Sequence, residues 1–176
     1  MNNIFNENYL RVPPTSVKVK VKKLDPNAKL PVKAHEKDFC YDVVAVSRKR
    51  VGWRTWEYKL GLAFEIERNP FLANLANVSL DFRPRSSVYK TGLSLCNCCG
   101  TIDELYRGEV KAYFYRVNLF GKKYKVGDRI GQIKLGITLP LEFEEVDELN
   151  MNTERGTGGF GSTGKEFFIL NNKKEA

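Results

Sequence analysis

Residues 133–143 have the sequence Ile133-Lys134-Leu135-Gly136-Ile137-Thr138-Leu139-Pro140-Leu141-Glu142-Phe143, with a large apolar side chain at every odd-numbered position. A period of two places these side chains on one face of a β-strand, whereas an amphipathic helix would need a period near 3.6. Proline cannot donate a hydrogen bond to a neighbouring strand, so we predict two strands that bend at Pro140.

The same alternation extends over much of the chain. Residues 17–22 alternate valine and lysine, which predicts a half-buried strand whose cationic outer face is solvated. Further runs of apolar and branched residues predict strands over 42–46, 60–66 and 110–117. Only residues 71–78 have the spacing of a helix. Many short strands separated by turn residues predict an all-β fold, a sandwich or barrel of the jelly-roll type.

Length and composition bound the class of protein. The 176 residues suit one domain with short tails, and 42% hydrophobic with 28% charged residues is typical of a globular chain. The formal net charge of +8 favours an anionic partner, without choosing among nucleic acid, a phosphorylated small molecule and an acidic membrane. No apolar run approaches the roughly 20 residues of a membrane span, and residues 1–10 lack the apolar core of a secretory signal. We therefore expect a cytoplasmic protein with no membrane partner.

The four cysteines are a poor disulfide framework, because three of them lie within residues 96–99. A closed zinc site would need four ligands from well-separated pairs, and the other candidates are only Cys40 and the single histidine, His35. We therefore expect free thiols in a reducing compartment, a surface histidine and no zinc site.

Residues 150–164 differ from the rest because they contain five glycines. Glycine loses the most backbone entropy on ordering, so we expect this segment to be mobile and to become ordered over a ligand. We accordingly divide the chain into a β domain, residues 1–149, and a flexible C-terminal arm, residues 150–176.

Five separated segments carry polar and glycine-rich motifs. They are Tyr41–Ala45, Pro84–Ser87, Asn97 with Gly100–Glu109, Gly127–Gln132 and Arg155–Gly164. In this order and spacing they resemble the five motifs of the trimeric dUTPase (dUTP diphosphatase) family. The resemblance covers nearly the whole chain, and the third and fifth motifs are the most specific.

The resemblance implies a dUTPase-like fold, a distorted jelly-roll barrel, and hydrolysis of dUTP to dUMP and pyrophosphate with Mg²⁺ as cofactor. It also implies a homotrimer in which three chains share each active site. One chain would supply Asp42, Ser86 and Gln132. A second chain would supply the hairpin of Asp103, and a third would supply the arm of Phe160. No nucleic-acid partner is expected.

Asp103 is the catalytic residue that the resemblance implies. It lies in a glycine-bounded Gly-x-Ile-Asp-x-x-Tyr-x-Gly hairpin, and a free aspartate is ionised at neutral pH. A carboxylate of this kind can accept a proton from water or orient it, which hydrolysis of a phosphoanhydride requires. In the resembled family the matching aspartate activates the water that attacks the α-phosphorus.

The same hairpin is the implied reader of base and sugar. The groups that would contact the base are those around Asn97, Gly100, Thr101 and Ile102. Because uracil and cytosine exchange an acceptor for a donor at one position, fixed backbone groups separate them strongly. Tyr106 would pack under the deoxyribose and leave no room for a 2′-hydroxyl. Lys111 would border the same pocket, although an exposed strand lysine is an equal alternative.

Two further motifs are implied to bind the triphosphate. Arg85 offers a planar cation, Ser86 and Ser87 offer hydroxyl donors, and Gln132 offers a neutral donor, all suited to phosphate oxygens. Asp42 matches the family's first-motif aspartate, which would support the metal–triphosphate site through water. Magnesium keeps several waters and binds mainly phosphate oxygens, so few direct protein ligands are expected.

The last motif is the implied phosphate cradle and lid. Arg155 would clamp the γ-phosphate, Phe160 would stack on the uracil ring, and the segment of Gly161, Ser162 and Thr163 would bind phosphate through its amides and hydroxyls. Closure of the arm would exclude all water except the attacking molecule. The motif is not a P-loop, because the Gly-Lys-Ser/Thr ending is absent.

Some local features depart from the resembled family or stand outside it. Phe39–Cys40 occupies the place of a small residue and a glycine before Tyr-Asp, and thiols such as Cys98–Cys99 are not typical of the uracil hairpin. Asp128 and Arg129 are expected to form a structural pair at the start of a strand.

Three alternative functions remain. A dCTP deaminase, or a bifunctional dCTP deaminase–dUTPase, would share the fold but needs a carboxylate at the pyrimidine amino group, and the glycine-rich arm argues against it. A non-catalytic nucleotide-binding regulatory protein would not need both Asp103 and the arm. A basic nucleic-acid-binding domain is the weakest alternative, because the lysines are dispersed and lack a stacking platform.

Overall fold

The computed structural model describes residues 16–68 and 77–159. The chain divides into two units, residues 1–140 and residues 141–176. All strands of the described ranges lie in the first unit: β1 (Val19–Lys23), β2 (Tyr41–Val44), β3 (Ser47–Arg50), β4 (Thr55–Lys59), β5 (Leu62–Ile66), β6 (Asn77–Arg83), β7 (Leu93–Leu95), β8 (Gly100–Asp103), β9 (Lys111–Arg116) and β10 (Arg129–Thr138). A short 3₁₀ helix, Ser86–Lys90, lies between β6 and β7. The all-β prediction is confirmed.

The strands form three antiparallel sheets. A two-stranded sheet pairs β1 with β5, a second sheet has the order β2-β10-β6-β8, and a third has the order β3-β4-β9-β7. The first and third of these sheets join residues distant in sequence, such as Val19 with Ile66 and Leu95 with Phe114. Antiparallel pairs of this kind let each sheet turn one alternating face toward a shared core.

Strand β10 fixes the second sheet because it is hydrogen-bonded along both edges. Gln132 pairs with Asp42 of β2 on one side and with Arg83 of β6 on the other. The register with β2 shifts between Arg129 and Gly131, which marks a bulge. Strand β6 in turn pairs with β8, so that the predicted hairpin of Asp103 lies at the far edge of this sheet.

The core contains a cluster of three aromatic rings. Tyr58 and Phe114 are fully buried and meet edge to face, and Tyr124 contacts both rings with similar geometry. The Tyr58 hydroxyl donates to the Tyr124 carbonyl oxygen at 3.2 Å, which satisfies a polar group that burial would otherwise leave unpaired. Burial raises the pKa values of both tyrosines.

Several predicted elements differ from the structure. Strand β10 ends at Thr138, so the prediction of a second strand beyond Pro140 is wrong. Leu141 and Phe143 are 72% and 90% exposed, and no strand of the described residues pairs with this segment. An alternating pattern therefore forms a strand only where another strand meets its backbone.

The helix predicted over 71–78 is wrong at its C-terminal end, because Val78 belongs to β6. Val78, Leu80 and Phe82 alternate along β6 and are buried, so the period-two signal was available there. The remainder of that predicted helix, residues 71–76, lies outside the described residues. No helix of residues 16–68 and 77–159 is long and apolar enough to cross a membrane.

Gly131 provides a test of the central packing. A Cβ atom at Gly131 would lie 2.2 Å from Cζ of the buried Phe82 and 2.9 Å from the Arg83 carbonyl oxygen. We expect Gly131→Ala to lower the free energy of unfolding by about 1–3 kcal/mol, because neither neighbour is free to retreat. Urea denaturation of both proteins at one concentration measures the change.

Gly52→Ala is the matched control, since the nearest atom to its added Cβ, Thr55 Oγ1, is 3.4 Å away. The control should change stability by less than about 0.5 kcal/mol. Equal unfolding midpoints for the two variants would contradict the packing argument.

Candidate active site

The β8 hairpin and strand β9 enclose a cavity of about 590 Å³. Seven of the residues predicted from the sequence line it: Asn97, Gly100, Thr101, Ile102, Asp103, Tyr106 and Lys111. Six further lining residues were not among the predicted site residues: Phe82, Leu95, Glu109, Val110, Ala112 and Tyr113. Cys96 lines the cavity as well. A cavity of this size, with an apolar wall and a few convergent polar groups, is typical of a small-molecule site.

The tight turn before β8 positions the polar wall of this cavity. Cys98 adopts a left-handed backbone conformation with φ of 54°, and the Cys99 amide donates to the Asn97 carbonyl oxygen. A Cβ atom at Gly100 would lie 3.3 Å from the Asn97 amide nitrogen. Since that contact is already tight, glycine lets the Asn97 side chain lie directly against the start of β8.

Asp103 ends β8 with an open carboxylate. Its backbone pairs with Ser79 of β6, and its carbonyl oxygen accepts a hydrogen bond from the Tyr106 amide at 3.0 Å. The side chain is exposed, and within residues 16–68 and 77–159 no donor or cation bonds to its carboxylate. The lone pairs of both oxygens are therefore available to a water or a ligand.

Tyr106 is held in one orientation by its own hairpin. Its hydroxyl donates to the Glu109 carbonyl oxygen at 3.1 Å, and its ring lies against Gly108. A Cβ atom at Gly108 would be 2.5 Å from the ring carbon Cζ, so only glycine allows this approach. The ring is thereby fixed as one wall of the cavity.

A hydrogen-bonded group on β4 and β9 forms another part of the wall. The Tyr113 hydroxyl donates to Glu57 Oε2 at 2.7 Å, and Lys111 Nζ lies 3.8 Å from the same oxygen. The bond to Glu57 raises the pKa of Tyr113. Lys111 therefore lines the cavity, and its charge is partly matched by Glu57. It is both a residue of the pocket and a lysine of strand β9. The pairing of Glu57 with Tyr113 in the antiparallel register could have suggested this group, but only once β4 is known.

Asp42, Arg85 and Gln132 lie together at a smaller cavity of about 250 Å³. Asp42 is 8% exposed, and its backbone is bonded to Val32 on one side and paired with Gln132 on the other. Its two carboxylate oxygens each accept a charge-assisted hydrogen bond, from Arg85 Nε at 3.0 Å and from Arg129 Nη1 at 2.8 Å.

The expected pairing of Asp128 with Arg129 is wrong. Arg129 reaches Asp42 instead, because the bulge in β10 turns it toward β2. Asp128 Oδ2 accepts a hydrogen bond from the Lys125 amide at 2.6 Å and closes the turn before β10.

Asp42 fits a magnesium site only through water. Within the described residues no group of three or more histidine, cysteine or acidic side chains could hold a metal directly. Both Asp42 oxygens already bind guanidinium groups, yet a carboxylate has about four lone-pair directions and can still accept from a metal-bound water. Magnesium commonly binds in this way, with phosphate oxygens as its direct ligands.

Some of the other predicted binding residues lie within the described residues and some do not. Ser86 begins the 3₁₀ helix, and Ser87 lines a third cavity together with Arg85 and Arg129. In the second unit, Arg155 Nε donates to the Gly158 carbonyl oxygen at 2.8 Å. The predicted contacts of Phe160, Gly161, Ser162 and Thr163 lie outside the described residues.

Comparison with known proteins identifies the class of protein. A family model described as dUTPase matches residues 80–164. The deoxyuridine 5′-triphosphate nucleotidohydrolase of Nautilia profundicola is 36% identical over 153 residues, which cover 85% of this chain and all of the relative. That of Clostridium acetobutylicum is 37% identical over 150 residues, or 84% of this chain and 97% of the relative.

Solved structures agree at the level of the fold. A variant dUTPase of Staphylococcus bacteriophage 80alpha, solved with dUpNHpp, superposes with a TM-score of 0.68 at 22% identity and covers 84% of this chain and 99% of its own. The dUTPase of phage phi11 of S. aureus superposes with a TM-score of 0.59 at 19% identity, over 75% of this chain and 97% of its own. The chain belongs to the dUTPase family.

The two carboxylates Asp42 and Asp103 should respond differently to removal of their charge. We expect Asp42→Asn to lower the free energy of unfolding by about 1–3 kcal/mol, because Arg85 and Arg129 lose a shared charged acceptor that is nearly buried. Urea denaturation at a fixed protein concentration measures it.

Asp103→Asn serves as the matched control in the same experiment. Its carboxylate is exposed and has no partner among the described residues, so stability should change by less than about 0.5 kcal/mol. A larger loss for Asp103→Asn than for Asp42→Asn would refute this assignment of structural roles.

Proposed function

We propose that this protein hydrolyses dUTP to dUMP and pyrophosphate. The observation that carries the proposal is the cavity in which Asn97, Thr101 and Tyr106 surround the open carboxylate of Asp103. Family membership, and relatives named as deoxyuridine 5′-triphosphate nucleotidohydrolases, favour hydrolysis over deamination of dCTP and over a non-catalytic role. A soluble nucleotide substrate is consistent with the expected cytoplasmic location.

Asp103 acts as the base in this proposal. Its carboxylate accepts a proton from a water molecule while the water oxygen forms a bond to the α-phosphorus. The bond from the α-phosphorus to the bridging oxygen breaks, and pyrophosphate leaves with that oxygen. An acceptor whose lone pairs are not engaged by protein donors suits this step, and Asp103 is such an acceptor among the described residues.

The rest of the cavity would select the base and the sugar. The backbone of β8, with the Asn97 side chain beside it, offers fixed donors and acceptors to one edge of uracil, and cytosine would leave one of them unpaired. The Tyr106 ring is fixed by Gly108 and by the Glu109 carbonyl oxygen. A ring that cannot retreat excludes the 2′-hydroxyl of UTP by overlap.

Asp42, Arg85, Ser86, Ser87 and Gln132 would bind the triphosphate and its metal. When bound, Mg²⁺ supplies neutralisation of the phosphate charge, and Asp42 would hold its water shell. The ion pairs with Asp42 orient Arg85, so that its remaining guanidinium donors are available for phosphate oxygens. A solved dUTPase of phage phi11 is described as coordinating a structural Mg(II) ion, which is consistent with a metal in this family.

The sheet order supports active sites shared between chains. Asp103 lies on β8 and Asp42 on β2, which are the two edge strands of one four-stranded sheet. Three inter-strand gaps separate these edges by about 14 Å, which is too far for one α-phosphate and its metal shell to contact both carboxylates. A homotrimer, in which the Asp103 hairpin of one chain faces the Asp42 region of another, resolves this separation.

The C-terminal arm would complete the site from a third chain. Arg155 would clamp the γ-phosphate, Phe160 would stack on uracil, and Gly161, Ser162 and Thr163 would enclose the phosphates. The turn at 153–158 supports an arm that folds locally, since Gly156 has φ of 51° and its amide donates to Thr153 Oγ1 at 2.9 Å.

Asp103→Asn tests the catalytic step. We expect turnover of dUTP to fall by about 10²–10⁴-fold while a non-hydrolysable dUTP analogue still binds, because asparagine keeps the shape but accepts no proton. Pyrophosphate release across dUTP, dCTP, dTTP and UTP with magnesium measures the rate and the selectivity. Asp25→Asn, in the turn after β1, is the control and should keep full activity. Turnover by Asp103→Asn close to that of the control would refute the role.

Complementation between variants tests the shared site. Asp103→Asn lacks the base, and a chain truncated after Asn152 lacks the arm, so each protein alone should be nearly inactive. Mixed trimers formed by joint refolding should regain measurable turnover, because some sites then combine an intact hairpin and an intact arm from different chains. Absence of any regain, with mixed trimers shown by mass, would mean that each chain builds its own site.

A further inference from the structure

Two segments of the chain contain several basic residues and no acidic residue. Residues 44–56 contain four basic residues and residues 110–127 contain five, and neither segment contains an aspartate or a glutamate. Together they carry more positive charge than the chain's net +8. They form β3, the first two residues of β4, β9 and the adjoining loops of one sheet, and β4 continues with Glu57. The other 20 of the 29 basic residues are dispersed over the rest of the chain, as expected, and these two segments differ from them by the lack of acidic residues.

Some of these basic residues line the third cavity, which has a volume of about 690 Å³. Its lining includes Lys90, Lys122, Lys123 and Lys125, next to Arg85 and Ser87 of the proposed triphosphate site. None of these lysines forms an ion pair with a carboxylate of the described residues; Asp128 also lines the cavity, and one of its oxygens accepts a hydrogen bond from the Lys125 amide. By contrast, Lys20 of β1 is paired with Glu65.

The cationic surface continues from this cavity past Lys123. Burial, followed by the charges of Arg116, Arg48 and Arg50, lowers the pKa of Lys123. Like charges at close range disfavour one another, and a bound polyanion would relieve that repulsion. We call the seven residues Lys90, Lys122, Lys123, Lys125, Arg48, Arg50 and Arg116 the basic track.

Exposed aromatic rings lie at the end of the basic track. Trp53 is 77% exposed and Tyr115 is 42% exposed. The Arg54 guanidinium carbon is 5.6 Å from the Trp53 ring centroid and 5.3 Å from the Tyr115 ring centroid. The Arg116 amide donates to the Arg54 carbonyl oxygen at 2.8 Å, which joins the loop that carries Trp53 to the end of β9, which carries Tyr115.

We propose that the basic track and the rings of Trp53 and Tyr115 bind single-stranded nucleic acid. Phosphates would follow the lysines and arginines, and unpaired bases would stack on the open ring faces, with Arg54 between them. This combination binds single strands with little sequence preference. The four lysines line an open cavity, and three of them are exposed, so that successive phosphates of a flexible strand can reach them. A duplex would offer phosphates but no free base faces.

The test measures binding of a fluorescein-labelled oligothymidylate of about 20 nucleotides, longer than the roughly 4–16 nucleotides of a typical single-strand site. Fluorescence anisotropy is recorded with an excess of a non-hydrolysable dUTP analogue, so that neither the nucleotide cavity nor the triphosphate residues Arg85 and Ser87 supply the signal. We expect the single strand to bind more tightly than a blunt duplex of equal length. Affinity should fall as salt is raised.

Two variants separate stacking from charge. Trp53→Ala should weaken single-strand binding by roughly tenfold, and Trp53→Phe should retain most of it, because phenylalanine still offers a ring face. Lys122→Gln with Lys125→Gln should reduce the slope of log affinity against log salt by about 0.7 for each phosphate that the two lysines neutralise. Hydrolysis of dUTP and thermal stability should be unchanged in Trp53→Ala and Trp53→Phe, and thermal stability should be unchanged in the double lysine variant.

Lys22→Gln with Lys23→Gln is the matched control, since it removes the same charge from exposed positions of β1. An equal loss of affinity in this control would show that only net charge matters and would overturn the proposal. Unchanged binding by Trp53→Ala, together with equal binding of single strand and duplex, would overturn it as well. Binding only to phosphatidylserine vesicles, with none to the oligonucleotide, would overturn it in favour of a membrane surface.

Discussion

The double pairing of β10 is the constraint on which the rest of the structure depends. Its Gln132 is paired with β2 on one side and β6 on the other, and Gly131 leaves room for the Phe82 ring directly beside it. Since β6 carries β8 on its far edge, this one strand sets the distance between the Asp42 and Asp103 regions. An error in its register would move both regions at once.

The two carboxylates of the candidate site illustrate how burial divides roles. Asp42 is nearly buried and is held by two guanidinium groups, so it organises Arg85 and Arg129 more than it offers itself to a ligand. Asp103 stands at a hairpin with no partner among the described residues, and is therefore available to water. The same functional group serves as a structural anchor in one place and as a proton acceptor in the other because its neighbours differ.

Electrostatics gives the molecule two kinds of cationic surface. At the start of β1, Lys18 and Lys20 form ion pairs with Glu67 and Glu65. No carboxylate of the described residues forms an ion pair with the basic track. The exposed rings of Trp53 and Tyr115 lie next to Arg54. Alternating lysines in the sequence therefore say little about binding, whereas cations grouped without acids in the folded chain indicate an anionic partner.

The sequence by itself determined the all-β class, the family and the seven predicted residues of the β8 cavity, because short motifs fix local hairpins. It did not determine the end of β10 at Thr138, the strand containing Val78, or the partner of Arg129. These three features depend on which segment of backbone pairs with the strand. A period-two pattern indicates a preference for a strand, but it does not indicate which strand will pair with it. Only the tertiary structure brought Glu57 to Tyr113 and Trp53 to Tyr115 through Arg54, because these contacts join segments more than fifty residues apart.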